Sequence, residues 1–215
     1  MIKIKLKCHL SFLRFTLVTL YLKIEKTFLK NKTQAIDFIS GGTIKKSITT
    51  EVKKVHNSLD LEGIKSVLFI CMGNICRSPS AEAVFRHKAK AQGLSLNIDS
   101  AGTVGAHAKE KPDHRAQKMG AERGYSFDGI KARKVTVQDF EDFDLILAMD
   151  NANLEYLLQI APEYQRSKAM LFLDFARNNK ESEVPDPYYG GANGFRFVLD
   201  LVEDASDGLL AQIKE

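Results

Sequence analysis

Two kinds of apolar spacing alternate along the chain after residue 65, and their order predicts the fold. Short apolar runs typical of strands buried in a parallel sheet occur at four places: 66–70, 96–98, 145–149 and 170–173. Segments with helical spacing follow them: 81–91, 115–123, 153–160 and 195–213. This alternation predicts a three-layer α/β/α fold with a central four-stranded parallel sheet.

The link between the first strand and the first helix has the sequence CMGNICRS, residues 71–78. Ser78 and Pro79 are the predicted N-cap and first residue of that helix. A loop that leads from a buried strand into a helix N-terminus directs backbone N–H groups inward, where the helix dipole adds positive potential. We therefore predict an anion-binding loop at the carboxyl edge of the sheet, where active sites form in such folds.

The residue types in this loop predict a site for a single phosphoryl group. Gly73 permits close approach of the backbone, and Arg77 can bind two oxygens of an oxyanion. Cys71 is the predicted nucleophile, because the positive field at the base of the loop favours its thiolate. The alternative, a buried cysteine near an unrelated arginine, conflicts with the strand, glycine and helix start around it.

A phosphomonoesterase also needs a proton donor for the leaving oxygen. The best candidate segment is VPDPYYGG, residues 184–191, which places Asp186 between two prolines. Tyr188 and Tyr189 can form the wall of an aromatic pocket there. Taken alone, however, the composition of this segment fits a plain surface turn better.

Charge divides the chain at about residue 64. Residues 1–64 contain 12 Lys or Arg and 5 Asp or Glu, whereas residues 65–215 contain 19 and 22. We predict a basic, poorly ordered N-terminal extension and linker over 1–64 and a catalytic domain over 65–215. The acidic balance of that domain gives no reason to expect nucleic acid as a partner.

The N-terminal extension resembles a signal peptide only in outline. Its apolar stretch is interrupted by Arg14, falls short of the roughly 20 residues of a spanning helix, and is followed by no small-residue cleavage site. The three cysteines, Cys8, Cys71 and Cys76, suit a reducing compartment, so a cytoplasmic location is predicted. Association of the basic extension with anionic membranes stays an alternative.

Several motifs in this order resemble the low-molecular-weight protein tyrosine phosphatases. They are CMGNICRSPSAEAVF from residue 71, DSAGT at 99–103, AMD at 148–150 and DPYYG at 186–190. The resemblance runs from about Val67 to the C-terminus. It implies hydrolysis of phosphotyrosine in proteins, or of small phosphomonoesters, through a phosphocysteine intermediate. No metal or other cofactor is implied, and the histidines show no ligand spacing.

The resemblance also implies roles for single residues. Cys71 corresponds to the nucleophile, Arg77 to the residue that clamps the equatorial oxygens, and Asp186 to the general acid that later acts as base. Asn74 corresponds to the residue that holds the loop in shape, and Ser78 to the hydroxyl that stabilises the thiolate. The expected substrate-binding residues are Met72, Gly73, Asn74, Ile75, Cys76, Ser78, Tyr188 and Tyr189.

Two positions leave alternatives open. Cys76 matches a cysteine that can trap an oxidised nucleophile as a disulfide, but a small residue packed under the loop is an equal interpretation. Ala106 occupies the position where the family usually has an aromatic that walls the substrate ring. His107 can replace that ring by stacking, although a surface histidine is the simpler interpretation.

Three other functions compete with this one. An arsenate reductase of the same fold needs further thiols, and no cysteine follows Cys76. In protein-arginine phosphatases the position of Ile75 tends to be Thr and that of Tyr188 tends to be Phe, so both residues favour phosphotyrosine. A phosphate-binding module without turnover is expected to lack Cys71 or Asp186.

Overall fold

The computed structural model describes Leu61 and residues 63–213. The strands are β1 Ser66–Cys71, β2 Asn97–Gly102, β3 Leu145–Ala148 and β4 Ala169–Leu171. The α-helices are α1 Arg77–Ala91, α2 His114–Glu122, α3 Asp139–Asp142, α4 Asn151–Ile160 and α5 Gly191–Ile213. Two 3-10 helices, Glu163–Lys168 and Phe172–Phe175, flank β4.

The strands form one parallel sheet in the order β2-β1-β3-β4. Cys71 at the end of β1 is in register with Gly102 of β2, and Ile70 is in register with Ala148 of β3. Because β1 lies between β2 and β3, three strands end at the same edge, immediately before the segments that carry the predicted motifs. The predicted four-stranded parallel sheet is confirmed.

Both faces of the sheet are covered, as the alternating side chains of β1 show. On one face the ring of Phe69 contacts Phe85 of α1 and Phe172, with ring centroids 5.4 and 5.0 Å apart. On the other face Leu68 and Ile70 belong to a buried cluster that includes Phe140 of α3 and Leu157 of α4. Burying one such side chain stabilises the fold by about 1.5–3 kcal/mol. Because β1 contributes buried side chains to both faces of the sheet, it is the centre of the hydrophobic core.

Several element boundaries differ from the predictions. Ser78 is not an N-cap: α1 begins at Arg77 with Cys76 at the N-cap position, and the Ser78 hydroxyl is used inside the fold instead. The second strand extends to Gly102, because pairing with β1 continues through its polar residues. The fourth strand ends at Leu171, since Phe172 and Leu173 already belong to a 3-10 helix.

Two further differences concern helices. The last helix begins at Gly191, four residues before the predicted start at 195. The short α3 was not predicted; Asp139, its first residue, accepts a hydrogen bond from the backbone N–H of Thr136 in the preceding turn at 2.7 Å. A four-residue helix is too short to give a periodic apolar pattern.

The predicted extension over 1–64, with Cys8, lies almost wholly outside the described residues, and the alternative of membrane association concerns the same segment. Within residues 63–213, the structure contains no helix whose length and apolar character would let it cross a membrane.

Candidate active site

The loop between β1 and α1 is fixed through its backbone carbonyl groups. The Thr103 and Val104 N–H groups donate to the carbonyl oxygens of Cys71 and Met72, each at 2.9 Å, as the chain after β2 continues beside the loop. At the far end of the loop, the Asp113 N–H donates to the Ile75 carbonyl at 2.8 Å. The neighbouring backbone therefore sets the loop's shape independently of any ligand.

Gly102 allows this close approach of two chain segments. A Cβ atom at position 102 would lie 2.7 Å from the Met72 carbonyl oxygen and 3.1 Å from the Asn74 nitrogen. Both atoms belong to the backbone and cannot move aside without distorting the loop. The DSAGT motif thus contains a glycine because only hydrogen fits between β2 and the loop.

The sulfur of Cys71 lies at the base of the loop and accepts two hydrogen bonds. The backbone N–H of Asn74 donates at 3.2 Å and the hydroxyl of Ser78 donates at 3.1 Å. Both donors, like Cys71 itself, are buried. Donors directed at a sulfur stabilise the thiolate more than the neutral thiol, so this arrangement favours a nucleophile.

Asn74 connects the loop to the strands beneath it. Its backbone has φ 55°, in the left-handed region, and its side chain is fully buried. The side-chain amide donates to the hydroxyls of Ser78 at 2.9 Å and Ser100 at 2.8 Å, and its oxygen accepts from the Arg133 backbone N–H at 2.9 Å. These three bonds hold a backbone conformation that is uncommon outside glycine.

Arg77 extends from the first turn of α1 to the carboxylates on the other side of the site. Its Nη1 donates to Asp150 at 2.5 Å and to the Val184 carbonyl at 3.2 Å, and its Nη2 donates to Asp186 at 3.2 Å. Burial alone would lower the pKa of this guanidinium, but the charges of Cys71, Asp150 and Asp186 raise it. Arg77 is therefore a permanent cation held at the site.

The segment that carries Asp186 is anchored from α2. Arg115 donates to the Tyr188 carbonyl at 2.9 Å and to both carboxylate oxygens of Asp113. Hydrogen bonds from Arg115 lower the pKa of Asp113, so this pair is ionised at neutral pH. Asp186 itself is about half exposed and accepts from the Tyr188 N–H at 3.0 Å, which directs the carboxyl toward the site.

One pocket collects nearly all of the predicted residues. Its lining is Cys71, Met72, Gly73, Ile75, Cys76, Arg77, His107, Asp186, Tyr188 and Tyr189. Asn74 and Ser78, expected among the substrate-binding residues, do not line it, because their side chains lie under the loop and bond to each other and around Cys71. The supporting roles that the resemblance implied for them stay predictions.

His107, and not Ala106, faces the pocket. The His107 ring lies against the loop, since a Cβ on Gly73 would be 3.3 Å from its Cδ2 atom. Its Nδ1 is 2.9 Å from Glu110 Oε2. Ala106 is exposed and does not line the pocket. The imidazole therefore lines the same pocket as the tyrosine pair.

Cys76 is a buried free thiol beside the nucleophile. Burial, followed by the negative charges of Asp113, Cys71 and Asp186, raises its pKa to about 12. Cys76 is therefore protonated at neutral pH and does not compete with Cys71 as a nucleophile.

Sequence reasoning missed three contributors to the site: Asp150, Ser100 and Arg115. Asp150 follows β3, the strand adjacent to β1, so its position after a buried run was a usable signal. Ser100 lies within β2 and Arg115 in α2, and their roles depend on contacts between distant segments. No group of His, Cys, Asp and Glu suited to hold a metal ion occurs among the described residues.

Comparison with protein families identifies the class to which this fold and site belong. Residues 66–215 match the family model described as low molecular weight phosphotyrosine protein phosphatase. The chain belongs to this family.

Curated relatives and solved structures agree with this assignment. The chain is 43% identical over 152 residues to the low molecular weight protein-tyrosine-phosphatase YfkJ of Bacillus subtilis, covering 70% of this chain and 96% of that protein. It is 44% identical over 154 residues to a Streptomyces coelicolor relative of the same description, covering 69% and 93%.

A crystal structure of a protein tyrosine phosphatase from Entamoeba histolytica, with Hepes in its active site, is 45% identical, with a TM-score of 0.67 and coverage of 68% and 95%. The crystal structure of YfkJ gives a TM-score of 0.67 at 42% identity, with coverage of 71% and 96%.

Replacing Gly102 by Ala tests whether close packing shapes the loop. We expect kcat/KM for p-nitrophenyl phosphate to fall about 100-fold, because a displacement near 1 Å at a catalytic group can cost that much. Gly105→Ala is the matched control, since its Cβ would only reach ordinary contact with Lys134 at 3.5 Å. Equal activity of the two variants would contradict this explanation of the loop.

Proposed function

We propose that this chain is a protein tyrosine phosphatase that hydrolyses phosphotyrosine monoesters through a phosphocysteine intermediate. The observation that carries the proposal is the buried Cys71 sulfur, with two hydrogen-bond donors on it and the Arg77 guanidinium at the same pocket. The names of the relatives support the substrate class.

In the first step the Cys71 thiolate attacks phosphorus, so that a P–S bond forms while the bond to the tyrosyl oxygen breaks. Asp186, in its protonated form, donates its proton to the leaving oxygen. Arg77 exchanges its contact with Asp186 for two phosphoryl oxygens and stabilises the charge that spreads over them in the transition state. The loop N–H groups bind the remaining oxygen.

In the second step the phosphocysteine is hydrolysed. The Asp186 carboxylate, which lost its proton in the first step, accepts one from a water molecule. The water oxygen attacks phosphorus, the P–S bond breaks, and the electron pair returns to the Cys71 sulfur. Hydrogen bonds from Asn74 N–H and the Ser78 hydroxyl stabilise that leaving thiolate. Inorganic phosphate leaves, and no external cofactor takes part.

The walls of the pocket suit an aromatic leaving group. Tyr188 and Tyr189, with ring centroids 5.0 Å apart, line it together with His107. Arg115 stacks on the Tyr188 ring, 5.1 Å from its centroid, and fixes its position. A flat ring entering between these side chains places its phosphate on the loop.

The competing activities have less support. In the described residues the thiols are Cys71 and Cys76, and the protonated state of Cys76 suits it poorly to resolve an arsenic adduct. Ile75 lines the pocket with a side chain that cannot orient water, which disfavours a phosphoarginine hydrolase. Free buried thiols at the site are consistent with a reducing compartment, so we propose the cytoplasm as the location.

The choice between phosphotyrosine and phosphoarginine is measurable directly. We expect kcat/KM to be higher for a phosphotyrosine peptide than for a phosphoarginine peptide of the same sequence, in reducing buffer without added metal. Cys71→Ser should abolish turnover of both, because oxygen is a far weaker nucleophile here. Preference for phosphoarginine would overturn the substrate assignment, and activity that survives Cys71→Ser would overturn the mechanism.

The role of His107 as a pocket wall predicts an effect on KM. His107→Ala should raise KM for aryl phosphates about 2- to 10-fold with little change in kcat, since a ring contact contributes about 0.5–1.5 kcal/mol. KM for an alkyl phosphate should not change. Ala106→Tyr, at the exposed neighbouring position, tests whether a second ring lowers KM for aryl phosphates. An equal effect of His107→Ala on aryl and alkyl substrates would refute a stacking role.

A further inference from the structure

Glu82 is a buried carboxyl group that the proposed mechanism does not use. It lies on α1, is 2% exposed, and does not line the pocket. One carboxylate oxygen accepts a hydrogen bond from the Ser100 hydroxyl at 2.6 Å, and the other is bonded to the Arg86 guanidinium. Burying a carboxyl group this deeply costs free energy unless hydrogen bonds or an opposite charge compensate for the lost hydration.

A continuous series of hydrogen bonds connects this carboxyl group to the nucleophile. Ser100 donates to Glu82 and accepts from the Asn74 amide at 2.8 Å. The same amide nitrogen donates its second hydrogen to Ser78 at 2.9 Å, and the Ser78 hydroxyl donates to the Cys71 sulfur at 3.1 Å. Every participating atom is buried, so water does not substitute for any of these bonds.

The charge on Glu82 sets the direction of these bonds. An ionised carboxylate only accepts, so the Ser100 hydroxyl must point its hydrogen at Glu82 and present its lone pairs to Asn74. Asn74, whose amide oxygen is held by the Arg133 backbone N–H, directs both amide hydrogens at the two serines. Ser78, already accepting from Asn74, directs its own hydrogen at the Cys71 sulfur at 3.1 Å, and the Ala101 carbonyl at 3.3 Å is the competing acceptor. Bonds to an ionised group are roughly twice as strong as neutral ones, and such chains polarise each other.

Protonation of Glu82 weakens the first hydrogen bond of this series, the one from Ser100 to Glu82. A neutral carboxyl group is a poorer acceptor for Ser100, and it can donate to the same oxygen that Asn74 uses. The hydrogen bond from the Asn74 amide to the Ser100 hydroxyl is then weakened. Because Asn74 also maintains the left-handed turn of the loop, both the sulfur's hydrogen bond and the loop geometry are affected.

The charged groups around Glu82 are few. Arg86 on the same helix and Arg133 favour its ionised form, whereas Asp99 on β2 opposes it. Arg133 is engaged with Asp99 and Asp139, which limits its effect on Glu82.

The nearest charges of α5, which packs against α1, are paired elsewhere. Asp207 bonds to Lys88, and Glu203 and Asp200 bond to Arg123. Titration of Glu82 is therefore governed mainly by its burial, Ser100 and Arg86.

We propose that the ionised carboxylate of Glu82 is a positioning residue for Cys71, acting through Ser100, Asn74 and Ser78, and that protonation of Glu82 lowers activity. This inference rests on the proposed function. It adds a pH control by a carboxyl group that lies outside the pocket.

The range of this control is near neutrality. Burial raises the pKa of Glu82 from 4.5 to about 7, and the contacts with Ser100 and Arg86 offset only part of that effect. A carboxyl group with a raised pKa favours folding below its unfolded pKa, and that contribution is lost as pH rises through the folded value. The ionised form that supports catalysis is thus the form that stabilises the fold less.

The test compares pH profiles of kcat/KM for p-nitrophenyl phosphate between pH 5.5 and 8.5 in wild type and Glu82→Gln. We expect equal values at pH 5.5 and about tenfold lower activity of Glu82→Gln at pH 8, since one charge-assisted bond is lost. Glu155→Gln, the same change at an exposed position of α4, should leave the profile unchanged. A uniform loss at every pH, or no loss, would overturn the proposal.

Arg86→Gln keeps the test decisive should Glu82→Gln fold poorly, and Ser100→Ala extends it where Glu82→Gln folds. Arg86→Gln should shift the Glu82-dependent rise to higher pH without lowering the plateau, because it removes a positive charge from the carboxylate. Ser100→Ala should abolish the effect of Glu82→Gln in the double variant, since the connection is already broken. An unshifted profile for Arg86→Gln, or additive losses in the double variant, would contradict the proposed connection.

Alkylation of Cys71 by iodoacetate supplies a readout that needs no turnover. It should be slower in Glu82→Gln than in wild type at pH 8 and equal at pH 5.5. Loss of wild-type turnover in Cys71→Ser establishes the phosphatase activity whatever Glu82 does. Equal alkylation of wild type and Glu82→Gln at pH 8 therefore counts against this inference alone.

Discussion

The active site depends on one strained residue, Asn74, and on the bonds that hold it. Its left-handed backbone turns the loop so that its own N–H meets the Cys71 sulfur at 3.2 Å. Its side chain spans from Ser78 to Ser100 and to the backbone of Arg133, joining α1, β2 and the segment before α3. The loop is therefore organised before substrate arrives, which lowers the reorganisation needed in the transition state.

The order of strands explains why distant motifs converge. With β1 between β2 and β3, Gly102, Cys71 and Asp150 lie at one edge of the sheet. Arg77, at the start of α1, can then reach Asp150 and Asp186 together. These carboxylates hold the guanidinium in place, and in the proposed mechanism a phosphoryl group replaces Asp186 as its partner. The charge that binds substrate is thus already paired and oriented in the free enzyme.

Much of this was predictable because local patterns agreed. The apolar run before Cys71 and the glycine and arginine after it are nearby in sequence, so the strand and the loop could be predicted from spacing, with Cys71 as the predicted nucleophile. The turn made Asp186 a candidate, and the DPYYG motif of the family resemblance implied its role as general acid. Three features could not be predicted in this way: the hydrogen bonds of the Asn74 side chain, the burial of Glu82 and the position of His107 in the pocket. Side-chain contacts between segments far apart in sequence leave no periodic signal in any one of them.

The most direct measurement is to identify the covalent intermediate. During turnover of p-nitrophenyl phosphate, rapid quenching followed by mass spectrometry should find the peptide that contains Cys71 heavier by one phosphoryl group. The Asp186→Asn variant should accumulate more of this adduct, because it lacks the carboxylate that accepts a proton from water in the second step. That adduct should be absent from Cys71→Ser. Turnover without any phosphorylated Cys71, or with the phosphoryl group on another residue, would contradict the assignment of this sulfur as the nucleophile.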